Sequence, residues 1–529
     1  MAKANASGWT DERSAAGKRN PWLIVSVISM ATFMEVLDTS IANVSLTHIA
    51  GGLSSSQDEA AWVLTSYLVA NAVIIPISGW LSDVIGRKRY YMLSVLLFTV
   101  SSLCCGLAPS LPLLIAARVF QGIGGGGLAP SEQSILADTF PPAKRGQAFA
   151  AYGVVVVCGP VLGPTLGGWI TDNISWHWIF LINVPVGILS LFLVNAFVCE
   201  PKVLVEERKQ RLKKGISVDY IGFALIVLGL GFLELTLDRG ERDDWFSSPF
   251  IVATAIISGV SIVLLVIWES LHKDPVLDVK LLARRNFGIS TMFMLATGLV
   301  LFSTTAILPQ MLQQVFNYDA TDAGLAMTVG GLATLVAMPI VGQVVGRVDA
   351  RLLMIPALLL QAFALFYMSH WTADITFAEA SRGRLISAIG LPFLFIPIST
   401  VAYVGLKATQ TNQASALLNI ARNLGGSIGI ATAQAMIIER GQVHQSRITE
   451  TLNPLNPNYV QGLDQIQSML GGAAQSAGAE IGVLAAQVAT QAQMLAFIDL
   501  FRAFMWVTLA IAPFGLLLQG TKGKAGAGH

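Results

Sequence analysis

The sequence predicts an all-α, polytopic membrane protein of fourteen spans, arranged as two six-helix bundles with two further helices inserted between them. Of its 529 residues 54% are apolar and only 12% are charged, and the mean hydropathy of +0.64 lies outside the range of soluble domains. Apolar stretches of roughly 18 to 25 residues recur along the whole chain, each long enough to cross a hydrocarbon core about 30 Å thick as a helix. A weak internal echo divides them: the turn from Gly79 to Arg89, between spans 2 and 3, has a poorer counterpart from Gly342 to Arg351, between spans 10 and 11. Repeats of this kind place substrate sites where the two halves meet. Closed barrels are excluded, because their strands alternate rather than run apolar.

Apolar windows place the first bundle's spans at 22–42, 60–80, 90–108, 112–137, 147–170 and 178–198. The inserted pair follows at 218–236 and 249–269, and the second bundle at 288–308, 322–345, 351–370, 382–405, 412–437 and 503–520. With both ends in the cytoplasm, 24 of the 33 Lys and Arg fall in cytoplasmic segments, 7 fall outside, and two, Arg118 and Arg422, fall inside spans. That asymmetry sets the orientation. The domain reading is a cytoplasmic tail 1–21, a bundle 22–198, the inserted pair with its linkers 199–287, a bundle 288–520 containing an outer loop 438–502, and a cytoplasmic tail 521–529. The N-terminus lacks an apolar segment with a cleavage site, so span 1 is expected to serve as its own insertion signal. In the loop, Leu463, Ile466 and Leu470, then Ile481, Leu484 and Val488, recur at helical spacing and predict amphipathic helices, covering the protein's own rim or docking a partner.

The net charge of +1 gives no field directed at nucleic acid. Four cysteines, 104, 105, 158 and 199, have no ligand-like spacing, so neither a disulfide framework nor a metal site is expected. There is no phosphate-binding loop and no catalytic constellation, which argues against ATP as the energy source and against an enzyme.

An ionisable group at mid-bilayer costs at least ~2.5 kcal/mol, so the few present are informative. Span 1 carries Glu35 and Asp38, followed by Thr39 and Asn43, at a spacing that puts all four near one helical face. Span 4 carries Arg118 and Gln121. At 1.5 Å per residue, Asp38 lies roughly 24 Å from the inner edge and Arg118 about 21 Å, so the two sit at nearly equal depth. Two readings fit: a carboxylate poised between an arginine and burial, hence a proton carrier, or a permanent ion pair clamping spans 1 and 4. Glu35 shares that proton duty, senses a cationic substrate, or is hydrated in a cavity; Arg422 in span 13 is a second coupling element or an interhelical hydrogen-bond donor. Substrate contacts are expected from Glu35, Asp38, Asn43 and Gln121. Glu132 and Glu234 are read as lying toward span ends, where hydration is easier, and receive no role.

Several segments together resemble the fourteen-span drug:proton antiporters of the major facilitator superfamily, the EmrB/QacA type, and most closely its EmrB branch. The turn Gly79-Trp80-Leu81-Ser82-Asp83-Val84-Ile85-Gly86-Arg87-Lys88 looks like the superfamily's loop between spans 2 and 3, a charge latch made by Gly79, Asp83, Gly86, Arg87 and Lys88 whose breaking accompanies rocking. Val84 stands where a basic residue is usual. Arg118-Val119-Phe120-Gln121-Gly122-Ile123-Gly124 is similar to the arginine motif linked to proton coupling, and Gly159-Pro160-Val161-Leu162-Gly163-Pro164-Thr165-Leu166-Gly167-Gly168 to the antiporter signature. Glycines 159, 163 and 167 form one smooth stripe for close helix approach, and the two prolines add bends. Further matches are Leu37 to Val44, Trp176 to Pro185 and Arg422 to Ser427, with His48 and His177 departing from the usual proline and arginine.

The resemblance implies a major facilitator fold in a bacterial inner membrane, without cofactor, driven by the proton gradient. It implies multidrug efflux, hence antibiotic resistance: export of hydrophobic or amphipathic drug-like molecules by alternating access, with coupling residues Asp38, Glu35, Arg118 and Arg422. Val443-His444-Gln445-Ser446-Arg447 in the outer loop is similar to the EmrB branch, which implies a periplasmic membrane-fusion adaptor and an outer-membrane channel as partners. A dedicated exporter of one metabolite, such as a siderophore, fatty acid or toxin, is the nearest alternative; a channel or membrane sensor is a remote one.

Overall fold

The computed structural model describes residues 20–213, 218–272, 274–318, 320–407, 410–453, 456–470 and 479–519. Among these, twelve helices are long and apolar enough to cross a membrane. Two more long helices stand at the remaining span positions, which completes fourteen. They are α1 (Pro21–Val44), α2 (Gln57–Ile85), α3 (Arg87–Gly106), α4 (Leu111–Thr139), α5 (Pro142–Asn173), α6 (Trp178–Phe197), α7 (Tyr220–Arg239), α8 (Pro249–Leu271), α9 (Arg285–Gln314), α10 (Ala320–Val344), α11 (Ala350–Met368), α12 (Phe377–Ala402), α13 (Thr411–Glu450) and α14 (Ala479–Ile511, ending in a 3-10 turn Ala512–Leu517). α5 and α13 pack along the seam between the halves.

Packing within the halves repeats. In the first, α1 packs on α5, α2 on α4, and α3 on α4 and α6; in the second, α9 packs on α13, α10 on α12, and α11 on α12 and α14. The halves meet where α5 packs on α10 and α12 and where α2 and α4 pack on α13. The inserted helices α7 and α8 pack on each other, and α7 also lies on α2 and α13, over one seam. Val84 faces this insertion: it joins an apolar cluster with Trp80, Phe223, Ile226 and Leu265, an environment that a basic side chain would not suit.

The stretch 438–502 differs from expectation. α13 has 40 residues, ~60 Å at 1.5 Å per residue, about twice the hydrocarbon thickness. Leu463 and Ile466 do lie on a separate helix, Pro457–Leu470. Ile481, Leu484 and Val488 instead belong to α14, and α14 turns into a 3-10 segment at Ala512. A hydropathy window sees only the apolar part of these helices, whereas the Gln- and Ala-rich sequence carries good helix propensity beyond it. Outside the apolar windows Asp499 binds both Arg440 (2.8 Å) and His444 (2.9 Å), tying α14 to α13.

Candidate functional site

Asp38, three-quarters of the way along α1, is sealed from solvent and fully engaged. Arg118 Nη1 on α4 donates to its Oδ2 at 2.6 Å, while Gln121 Nε2 (2.9 Å) and Asn183 Nδ2 on α6 (2.8 Å) donate to its Oδ1. Arg118 and Gln121 lie one helical turn apart, so both reach the same carboxylate. Arg118 also donates to Gln121 Oε1 (2.7 Å) and to the carbonyl of Val63 on α2 (3.0 Å), and its guanidinium lies over the Tyr67 ring at 4.2 Å. Both side chains of the ion pair have no exposed surface. Three helices are thereby pinned to one buried charge on α1. Asn183 falls within the Trp176-to-Pro185 segment, where a lone amide in an apolar span is the one sequence signal that marks it.

Glu35, one turn earlier on α1, is only half-buried. It accepts from Asn71 Nδ2 (3.4 Å) on α2, and the charge of Arg422, on α13 of the other half, is near enough to act on it. Arg422 itself donates to its neighbour Asn423 (3.4 Å). Glu35 thus faces the seam, whereas Asp38 is shut inside the first bundle. Asn43 does not join them and is exposed: five residues beyond Asp38 at 100° per residue turns it about 140° away.

Two glutamates read as hydrated are buried. Glu132 has no exposed surface, because α4 continues to Thr139 and its whole second segment, Leu128–Thr139, is enclosed. Its Oε1 accepts from the Tyr91 hydroxyl (2.9 Å), and its Oε2 has no partner among the described residues. Glu234 on α7 accepts from Ser427 on α13 (2.8 Å), and one turn on, Asp238 accepts from Thr65 on α2. α7 therefore bonds to both halves through carboxylates, because it covers the seam instead of facing lipid all round.

The predicted latch residues sit where the halves close on each other. Gly86, at φ +101°, makes the turn from α2 to α3 in a conformation that favours glycine. It is followed by Arg87, which pairs with Asp138 at the end of α4 and donates to Thr411 of α13 (2.8 Å). Asp83 accepts from Asn412, and a Cβ on Gly79 would meet Gln413 at 3.3 Å, so both face the start of α13. Lys88 donates to the Asn195 carbonyl (2.8 Å), within its own half.

The glycine stripe of α5 lies against α1. A Cβ on Gly159 would meet Val36, one on Gly163 would meet Ser40, and one on Gly167 would come within 2.8 Å of Ile41 Cγ2. Gly168 has nothing within 4 Å. Pro160 and Pro164 belong to the same helix, and their side chains lie outside the described residues. The repeat-related contact is built alike: Gly298 of α9 abuts the Arg422 backbone, and Gly425 of α13 abuts Leu295. The histidines are peripheral, His48 facing exposed Asp172 at 3.4 Å and His177 stacked on Trp176.

Repeated six-helix halves, meeting along a seam flanked by buried charges, define a secondary membrane transporter. The chain belongs to the major facilitator superfamily, whose model matches residues 28–430, and within it to the EmrB branch. It is 39% identical over 436 residues to the multidrug export protein EmrB of Haemophilus influenzae, covering 82% of this chain and 84% of that one. It is 32% identical over 508 residues to the fatty acid resistance protein FarB of Neisseria gonorrhoeae, covering 96% and 98%. Its fold is similar to that of the proton:xylose symporter XylE bound to 6-bromo-6-deoxy-D-glucose, with a TM-score of 0.60 and 14% identity over 95% of this chain and 97% of that one.

Proposed function

We propose that this chain is a proton-coupled multidrug exporter that moves hydrophobic and amphipathic molecules outward by alternating access. The carrying observation is the division of labour on α1: Asp38 is locked to Arg118 inside one bundle, while Glu35 bonds Asn71 of α2 and lies within range of the Arg422 charge in the other half. A proton on Asp38 removes the charge that holds Arg118, Gln121 and Asn183, and so loosens two helices, α4 and α6, from α1 together. A proton on Glu35 removes its attraction to Arg422 across the seam. Together these make the fit between halves depend on proton occupancy, which is what coupling requires.

The basic end carrying Arg87 is cytoplasmic in this reading, so its closed contacts correspond to an outward-facing conformation, with both chain termini in the cytoplasm of a bacterial inner membrane. The long ends of α13 and α14 then project into the periplasm, where their length supports docking of a membrane-fusion adaptor leading to an outer-membrane channel. The similarity to EmrB of H. influenzae supports a broad drug range. The similarity to FarB supports a second reading, export of fatty acids alone; a resistance profile confined to fatty acids favours it over broad export.

The test is export of a lipophilic cationic dye from inverted vesicles driven by a pH gradient, comparing the intact chain with Asp38→Asn and Glu35→Gln. Loss of gradient-driven transport with dye binding retained supports the coupling role. Undiminished transport in both variants overturns it.

A further inference from the structure

Arg384 lies in α12, which runs from Phe377, and so sits about 10 Å along the helix from its start. It falls within the apolar window 382–405, and it is only 9% exposed. Its Nε has no hydrogen-bond partner, and no carboxylate pairs with its guanidinium among the described residues. Among the described residues, the other arginines of comparable burial, Arg87 and Arg118, each have an acidic partner.

The side chain borders a partly open cavity enclosed by α9, α11, α12 and α14, wholly within the second bundle and apart from Asp38. Val300, Leu358, Leu391 and Ile511 form apolar walls; Gln361 and Ser387, bonded to each other at 3.0 Å, and the hydroxyls of Thr297 and Thr508 are the neutral polar groups of the lining. The cavity, counted with the space at its opening, has a volume of about 500 Å³, room for a carboxylate and part of the chain that carries it. Gly330 of α10 backs the arginine: a Cβ there would meet its Cγ at 2.7 Å and its Nε at 2.9 Å, so the absence of a side chain lets Arg384 pass.

A guanidinium is always charged, and a charge held away from water needs a counter-ion. One cation calls for one negative charge, its planar fork matches a carboxylate, and apolar walls reward a hydrocarbon or aryl body over a hydrated inorganic ion. We propose that this cavity binds the carboxylate end of an amphipathic monoanion, the carboxylate forking onto Arg384 beside the Gln361–Ser387 pair and the apolar body extending through the opening.

The test is equilibrium binding of radiolabelled laurate to the purified chain in nanodiscs of zwitterionic lipid, with dodecyltrimethylammonium as the cationic control. The proposal expects saturable laurate binding that Arg384→Gln weakens at least tenfold and Arg384→Lys partly restores, with dodecyltrimethylammonium binding unchanged. Ala296→Phe, which fills the cavity and leaves the charge, is expected to weaken laurate binding as well, so the proposal stands or falls even where Arg384→Gln unfolds. No saturable laurate binding, or equal affinity in intact and Ala296→Phe chains, overturns it. Loss of laurate binding on adding phosphatidylglycerol to the discs assigns the site to a lipid head group and overturns a free amphiphile as its occupant. The assay reads binding alone, so its result is separable from the question of proton coupling.

Discussion

Arg118 reaches across from α4 to Asp38 on α1 at 2.6 Å, with both side chains shut off from solvent. Breaking one side of such a pair leaves an uncompensated buried charge, whereas removing both does not. Arg118→Gln is therefore expected to cost about 3–5 kcal/mol of stability. The double variant Asp38→Asn with Arg118→Gln should recover most of that loss while remaining inactive in gradient-driven transport. Thermal unfolding of the intact chain and the two variants checks this; a double variant no more stable than Arg118→Gln alone would show that hydrogen bonding to Gln121 and Asn183, and not charge balance, holds the site.

Gly167 and Gly168 are adjacent in sequence and differ in what a methyl group would meet. Gly167→Ala forces a Cβ to within 2.8 Å of Ile41 Cγ2 on α1, and overpacking of this kind costs about 1–3 kcal/mol. Gly168→Ala enters open space and should be neutral or, through helix propensity, slightly stabilising. Melting temperatures of the two variants, measured side by side, separate close α1–α5 approach from a general requirement for glycine.

Arg87 closes one end of the molecule by joining Asp138 of its own half and Thr411 of the other. Arg87→Ala removes both contacts and should shift the population toward opening at that end. In a background with the four native cysteines replaced by serine, Ser415→Cys, buried just inside this closure, is expected to react several-fold faster with a water-soluble maleimide once Arg87 is lost. Unchanged labelling would leave Asp83 and Asn412 as the contacts that hold the end shut.

Glu234 ties the inserted helix α7 to α13 through Ser427. Glu234→Ala deprives Ser427 of one acceptor at the seam and should destabilise by about 1–2 kcal/mol, whereas Glu234→Gln keeps an acceptor oxygen and should stay near the intact chain. Unfolding curves for the pair read this directly. If the two variants behave alike, the contact is incidental to the packing of α7.

The sequence alone was enough for what depends on one helix at a time. Fourteen spans follow from apolar length, because every backbone group in a membrane must be bonded within its own helix. Even the level of Asp38 with Arg118 was legible, since rise per residue converts position into depth. Tertiary structure decided everything that depends on which helix stands opposite. It sealed Glu132 by enclosing the second segment of α4, set Arg384 in a cavity wall, turned Asn43 away from the charged face, and supplied Asp138, Thr411 and Asn412 as partners for the turn between α2 and α3. The physical reason is that periodicity says which residues share a face of one helix, while the neighbour met by that face is set by long-range packing, in which a single glycine such as Gly330 or Gly167 decides how close the next helix comes.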